Sequence, residues 1–224
     1  MTAFKVIAFD YDGTLFDTRP AIVHCIRRSF AASGRPIPPQ ETVLFTIGGG
    51  LTLEDTFLDL DGSLRDDSAG LRARVEAYRS IYLAEGLPLL KPFAGVGEVL
   101  RQLHAGGTKC LVVSNKGIAA IRQSLDASRL SPFIDLVLGD EPGLPKKPDP
   151  AIVVDRILPK YPQMQSRQIL MVGDTELDIL FAKKSGMSCC WVSYGYGDAQ
   201  RCRALKPEHE IASIAELPML VQRE

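Results

Sequence analysis

Four aspartates in two short runs are the residues of this chain whose type and spacing suggest chemistry. Asp10 and Asp12 flank Tyr11 directly after an apolar run at residues 4–9 (FKVIAF), and Gly13 and Thr14 follow. On an extended backbone, alternate side chains point the same way, so both carboxylates meet in one place. Their combined negative charge calls for a cation. Hard carboxylate oxygens suit Mg²⁺, which keeps several waters and shares an oxygen of a bound phosphate. Gly13 allows the sharp turn that such a loop requires. The plain alternative is a polar turn whose carboxylates cap the next helix.

Three further groups stand where the same chemistry would use them. Ser114-Asn115 follows residues 110–113 (CLVV) and offers a hydroxyl and an amide to phosphoryl oxygens. An ordinary N-cap at Ser114 is the alternative. Lys146-Lys147-Pro148-Asp149-Pro150 precedes a helical pattern, where a lysine could neutralise charge developing on a transferred phosphoryl group. Otherwise these lysines form a solvated loop. Asp174 follows residues 169–172 (ILMV), and Asp178 lies one helical turn later, so both could face one metal. Helix capping is again the alternative. What joins these groups is their order, each at the end of a predicted strand.

The elements that must position them are legible from periodicity. Residues 4–9, 110–113, 134–138, 169–172 and 189–192 are short, mostly continuous apolar runs, the pattern of strands buried on both faces. Helical patterns occupy 96–105, 118–127, 150–158 and 177–185. This alternation predicts an α/β fold: a Rossmann-like parallel sheet with helices on both faces. Ligands in such sheets bind beyond the carboxyl ends of the strands. From Thr18 to about Leu90 there is no convincing strand, only helical stretches such as 20–33 and 71–85, interrupted by the three prolines of 34–40 (GRPIPPQ). The predicted division is a catalytic domain of residues 1–17 and 91–224, with an inserted helical domain at 18–90.

Bulk properties narrow the function classes. The chain has 224 residues, 46% hydrophobic, with 26 Lys and Arg against 27 Asp and Glu. A core of useful size follows, and no basic field exists to attract nucleic acid. The five cysteines lack CxxC spacing and read as buried thiols in a reducing compartment. No apolar run approaches the roughly 20 residues that span a bilayer, and the N-terminus lacks a secretory pattern. A cytoplasmic protein without nucleic-acid or membrane partners, monomeric or homodimeric, is the expectation. His24, His104 and His209 lack zinc spacing, and Trp191 reads as core.

DYDGTLFDT, SNK, KKPDP and GDTELD resemble, in order, the four motifs of the haloacid dehalogenase superfamily. The resemblance covers nearly the whole chain. It implies that Asp10 is a nucleophile forming an aspartyl phosphate and that Asp12 is general acid, then base. Ser114 would bind a phosphoryl oxygen, and Lys147 would steady Asp10 and the phosphoryl group. Mg²⁺ would be held by Asp10, the backbone carbonyl of Asp12, and Asp174, with Asp178 in support. Thr14, Asn115 and Gly49 are further substrate-contact candidates. The insertion resembles the family's small cap, hinged at Phe16-Asp17 and at 89–95, with the loop 47–50 either reaching into the site or merely connecting helices.

The superfamily hosts several reactions. Asp12 favours phosphoryl chemistry over dehalogenation, and the absence of lysine between Lys5 and Lys91 removes a Schiff-base phosphonatase. A phosphosugar mutase, a pyrophosphatase or nucleotidase, and a non-catalytic binding protein on the same scaffold remain open. VVSNKG and VSYGYGD resemble phosphoglycolate phosphatases, which makes 2-phosphoglycolate the first substrate expected among small phosphorylated metabolites. Eight arginines of the insertion (Arg19, Arg27, Arg28, Arg35, Arg65, Arg72, Arg74 and Arg79) include candidates to grip its carboxylate, though most read as solvated helix-face residues.

Overall fold

The computed structural model describes residues 4–221, so three residues at each end of the expected catalytic domain lie outside it. The chain opens with β1 (Val6–Phe9) and a two-residue strand β2 (Phe16–Asp17), which pairs antiparallel with β3 (Lys91–Pro92). Then follow β4 (Lys109–Gly117), β5 (Leu136–Asp140), β6 (Ile169–Gly173), β7 (Ser188–Val192) and β8 (His209–Ile211). The main sheet runs β5-β4-β1-β6-β7-β8, parallel throughout. Phe9 aligns with Val112 on one side and Val172 on the other, which sets the carboxyl ends of β1, β4 and β6 next to one another.

Four helices lie between β2 and β3: α1 (Arg19–Ala32), α2 (Gln40–Ile47), α3 (Leu53–Leu60) and α4 (Ser68–Ile81). The rest are α5 (Val96–Ala105), α6 (Ile118–Ala127), α7 (Glu176–Ser185), α8 (Ala199–Ala204) and α9 (Leu217–Val221).

The continuous apolar runs arise because both sheet faces are covered. Ile7, Phe9, Cys110, Val112, Leu170 and Val172 point to one face, under α5, α6 and α9. Their neighbours Val6, Ala8, Leu111, Val113, Ile169 and Met171 point to the other, under α7 and residues 152–157. Each fully buried Val, Ile or Leu stabilises by roughly 1.5–3 kcal/mol. The helices of residues 18–90 gather around a separate cluster centred on Phe57, whose ring meets Phe30 and Tyr78 at 6.1 and 5.9 Å. Thr52 and Asp67 cap α3 and α4 by accepting hydrogen bonds from backbone N–H groups.

Four elements differ from the sequence expectation. β4 runs on to Gly117, so Ser114 and Asn115 lie within its irregular end instead of after it. β8 has only three residues at the sheet edge, and exposed Glu210 breaks its apolar run. The predicted helix 150–158 is a π-helical segment, Ile152–Ile157, followed by a 3-10 turn, because Pro159 has no N–H to continue an α-helix. The strand predicted at 134–138 is shifted to Leu136–Asp140, since Ile134 N donates to Ser131 O and closes a turn.

The separate cluster makes a testable statement. Phe57→Ala should lower stability by about 3–5 kcal/mol. Hydrogen exchange should show lost protection in α3 and α4 with the sheet strands still protected.

Candidate active site

Asp10 continues β1 by donating its N–H to Val172 O at 2.8 Å, which places its side chain at the centre of the sheet's carboxyl edge. Asp174 directly follows β6, and Asp178 lies in the first turn of α7. One oxygen of each of these three buried carboxylates lies within 4.8 Å of the others. Lys147 reaches in from the loop after β5, and its Nζ donates to Asp10 Oδ1 at 2.7 Å and to Asp178 Oδ1 at 2.6 Å. The carboxamide of Asn115 clamps that loop, accepting from Lys147 N at 2.8 Å and donating to Lys147 O at 3.1 Å.

Each remaining carboxylate is fixed by the chain around it. Asp174 Oδ1 accepts from Thr14 Oγ1 at 3.0 Å and Oδ2 from Tyr196 N at 2.7 Å. Trp191 Nε1 donates to the Asp174 backbone carbonyl at 2.8 Å. Gly13 (φ 80°) passes so close to Asp174 that a Cβ there would stand 2.3 Å from Oδ2. Asp178 Oδ2 accepts from Thr175 N and Oγ1, so the expected alternative of helix capping and the approach to the carboxylate cluster coexist in one side chain.

Asp12 turns away from this cluster. Its Oδ1 accepts from Lys116 Nζ at 2.9 Å, and that lysine lies over the Tyr82 ring at 4.2 Å. The Asp12 side chain is therefore not among the clustered carboxylates that could hold a metal, and only its backbone carbonyl is left for that part. Burial pulls the Lys116 pKa down, but Asp12, Tyr78 and Tyr11 together outweigh it and leave the ammonium stabilised.

One cavity of about 220 Å³ opens in front of these groups, and Asp10, Asp12, Ser114, Asn115, Lys116 and Lys147 line it. Thr14 and Gly49 do not. Thr14 is buried behind Asp174, and the loop 47–50 reaches the cavity through Ile47 and Gly50. A Cβ on Gly50 would meet Thr175 Oγ1 at 2.8 Å. Of the eight arginines, Arg79 lines the cavity, with its Nη2 2.9 Å from Asp140 Oδ2. Arg74 instead stacks on Phe30 inside the helical block.

Lys116, Tyr196 and Trp191 were missed by sequence reasoning as site residues. The signal for Lys116 was its place after Ser114-Asn115, at the bulge where β4 shifts register against β5. Nothing local in the sequence marks Trp191 as a support of Asp174.

The electrostatics favour a divalent cation. Lys147 supplies one positive charge to three carboxylates, leaving an excess of two negative charges. Asp10 is pushed up to about 6, by burial first and by Asp178 and Asp12 in addition, with Lys147 offsetting part of the rise. Burial and the charges of Asp10 and Asp178 also push Asp174 well above the usual carboxylate range. These residues fit a divalent metal, whose oxygen ligands would be carboxylates and a backbone carbonyl.

The model of one protein family, the haloacid dehalogenase-like hydrolases, matches residues 7–192. The chain belongs to this family. A phosphoglycolate phosphatase of Vibrio parahaemolyticus is 31% identical to this hydrolase over 216 residues, 95% of this chain and 94% of the relative. Another, from Caulobacter vibrioides, is 34% identical over 85% of this chain and 79% of its own length. Among solved structures, a predicted phosphoglycolate phosphatase from Haemophilus somnus 129pt superposes with a TM-score of 0.86 at 26% identity, covering 99% of this hydrolase and 100% of that chain. No helix among the described residues of this hydrolase is long and apolar enough to cross a membrane.

The raised carboxyls give a signed prediction. Asp10, at about 6 against an ordinary 3.8, binds its proton more tightly folded than unfolded. Its destabilising effect is therefore present above that window and is relieved as pH falls. In EDTA the Tm should rise from pH 7 toward pH 5, more steeply in wild type than in Asp10→Asn. Mg²⁺ at pH 7 should raise the Tm and flatten the slope. Calorimetry checks both, and equal slopes in the two proteins would remove Asp10 as the cause.

Proposed function

We propose that this hydrolase is a Mg²⁺-dependent phosphatase that cleaves a small phosphomonoester through a covalent aspartyl phosphate on Asp10. The observation that carries the reading is the pairing of Asp10 with Lys147 at the cavity floor, with Asp12 facing the same cavity. An Asp10 carboxylate oxygen attacks phosphorus while the ester P–O bond breaks, and Asp12 gives its proton to the departing alcohol oxygen. Asp12 then takes a proton from water. That water attacks phosphorus, releasing inorganic phosphate and restoring Asp10.

Lys147 and Ser114 stand where negative charge gathers on the phosphoryl oxygens, and Asn115 keeps Lys147 in place. Lys116 orients Asp12 without touching Asp10. When bound through Asp10, the Asp12 carbonyl and Asp174, Mg²⁺ would neutralise phosphoryl charge. Asp178 and Thr14 support this set by fixing Lys147 and Asp174. The helices of 18–90 act as a cap that excludes water, with the β2–β3 ribbon as its two-stranded hinge.

The similarity to phosphoglycolate phosphatases makes 2-phosphoglycolate the first substrate to test, and a cytoplasmic location goes with such a metabolite. Competent residues at all four motifs argue against a non-catalytic scaffold. A mutase is distinguished by isomerising a sugar phosphate instead of releasing phosphate.

Phosphate release across a panel of esters, with Mg²⁺ and with EDTA, tests the proposal. Asp10→Asn should lower kcat at least about a thousandfold, as loss of a nucleophile does. No release from any ester by wild type would refute the phosphatase. Lys116→Met should lower kcat about ten- to a hundredfold with a smaller change in KM, because it loosens a general acid whose contribution is of order 10²–10⁴.

A further inference from the structure

The cavity has two unlike sides. Its floor is the polar edge of the sheet, while the wall built by the helical block is mainly apolar, with Thr56, Tyr78, Arg79 and Tyr82 as its polar members. Ile22, Ile26, Ile47, Leu51, Leu53 and Leu83 face it. Leu51 and Leu83 remain 44% and 42% exposed and line the cavity, whereas the block's other exposed large apolar side chains, Ile37, Phe45 and Leu89, do not line it. Apolar side chains left open at a concave site are what an apolar ligand surface covers.

The cations of the cavity are already matched. Lys147 contacts Asp10 and Asp178, Lys116 contacts Asp12, and Arg79 contacts Asp140. Lys146, just behind, contacts Asp140 and Glu54. Among the described residues lining the cavity, no lysine or arginine lacks a carboxylate partner. A phosphoryl group has Ser114, Lys147 and the metal position to meet it. A second anion, on the alcohol half, would face leucine and isoleucine and lose its hydration without a free counter-charge. An alkyl or aryl alcohol half would instead leave water for a matching surface.

We infer that the cavity accepts phosphomonoesters of uncharged, apolar alcohols at least as well as those of a hydroxy acid such as 2-phosphoglycolate. This rests on the phosphatase reading above. The reaction is hydrolysis of one P–O bond: water in, inorganic phosphate and the free alcohol out. The volume of about 220 Å³ limits the alcohol to a small one, being below the roughly 300–1,000 Å³ of drug-sized sites.

The test compares isopentyl phosphate and benzyl phosphate with 2-phosphoglycolate by kcat/KM at saturating Mg²⁺. Calorimetric binding of isopentylphosphonate and of phosphonoacetate, neither of which can be hydrolysed, accompanies it. The expected result is a kcat/KM for an apolar ester equal to or above that of 2-phosphoglycolate, with the alkylphosphonate binding at least as tightly as phosphonoacetate. Leu83→Arg and Leu51→Arg, at half-exposed positions that tolerate a charge, should each shift the ratio toward 2-phosphoglycolate about tenfold, mainly through KM. A higher kcat/KM for 2-phosphoglycolate in wild type, or a ratio unmoved by both arginines, overturns the inference. If no ester releases phosphate, the phosphatase reading itself fails, an outcome distinct from either.

Discussion

A single ammonium group among three buried carboxylates is the constraint on which the site depends. Carboxylates this close repel, and burial raises the cost of keeping each one charged. Lys147 offsets part of that cost for Asp10 and Asp178 at once. It can do so only because Asn115 fixes its backbone and because β1, β4 and β6 end side by side. The sheet's register is thus the origin of the site's charge balance. Asp174, which has no lysine, is held instead by neutral donors, Thr14 and the Tyr196 amide.

A second layer of charge joins the helical block to the sheet. Lys116 pairs with Asp12 below and lies against the Tyr82 ring above, while Arg79 of α4 reaches Asp140 at the end of β5. Tyr196 accepts hydrogen bonds from Thr18 N and Arg19 N at the start of α1, and its own N–H goes to Asp174. The groups that set the geometry of Asp12 and Asp174 are therefore the groups that seat the block. Its position and the site's electrostatics vary together.

Much of this was legible in the sequence, for identifiable reasons. Continuous apolar runs reported strands buried on both faces, and the places of Asp10 and Asp174, directly after β1 and β6, were legible because strand ends in parallel sheets collect polar residues. α5 and α6 match their periodic patterns residue for residue. β8 was illegible because an edge strand of three residues carries no period. The π-helical segment at Ile152–Ile157 was missed because periodicity cannot tell it from an α-helix. The partnership of Lys116 with Asp12 spans 104 positions, and only the folded sheet brings them together. Thr14 was read as a substrate contact from its place in the motif, but the turn at Gly13 sends its hydroxyl to Asp174.

Trp191 is the only tryptophan in the chain, and its indole N–H is bonded to the carbonyl of Asp174, behind the carboxylate cluster. The fluorophore is 1% exposed, with the Arg203 guanidinium 5.3 Å from its ring centroid. Any change in charge at the Asp174 carboxylate acts across one residue on the indole's excited state, without solvent between them. An occupant that altered the charge at Asp174 would therefore act on the one indole of the chain, with no other indole emission to compete.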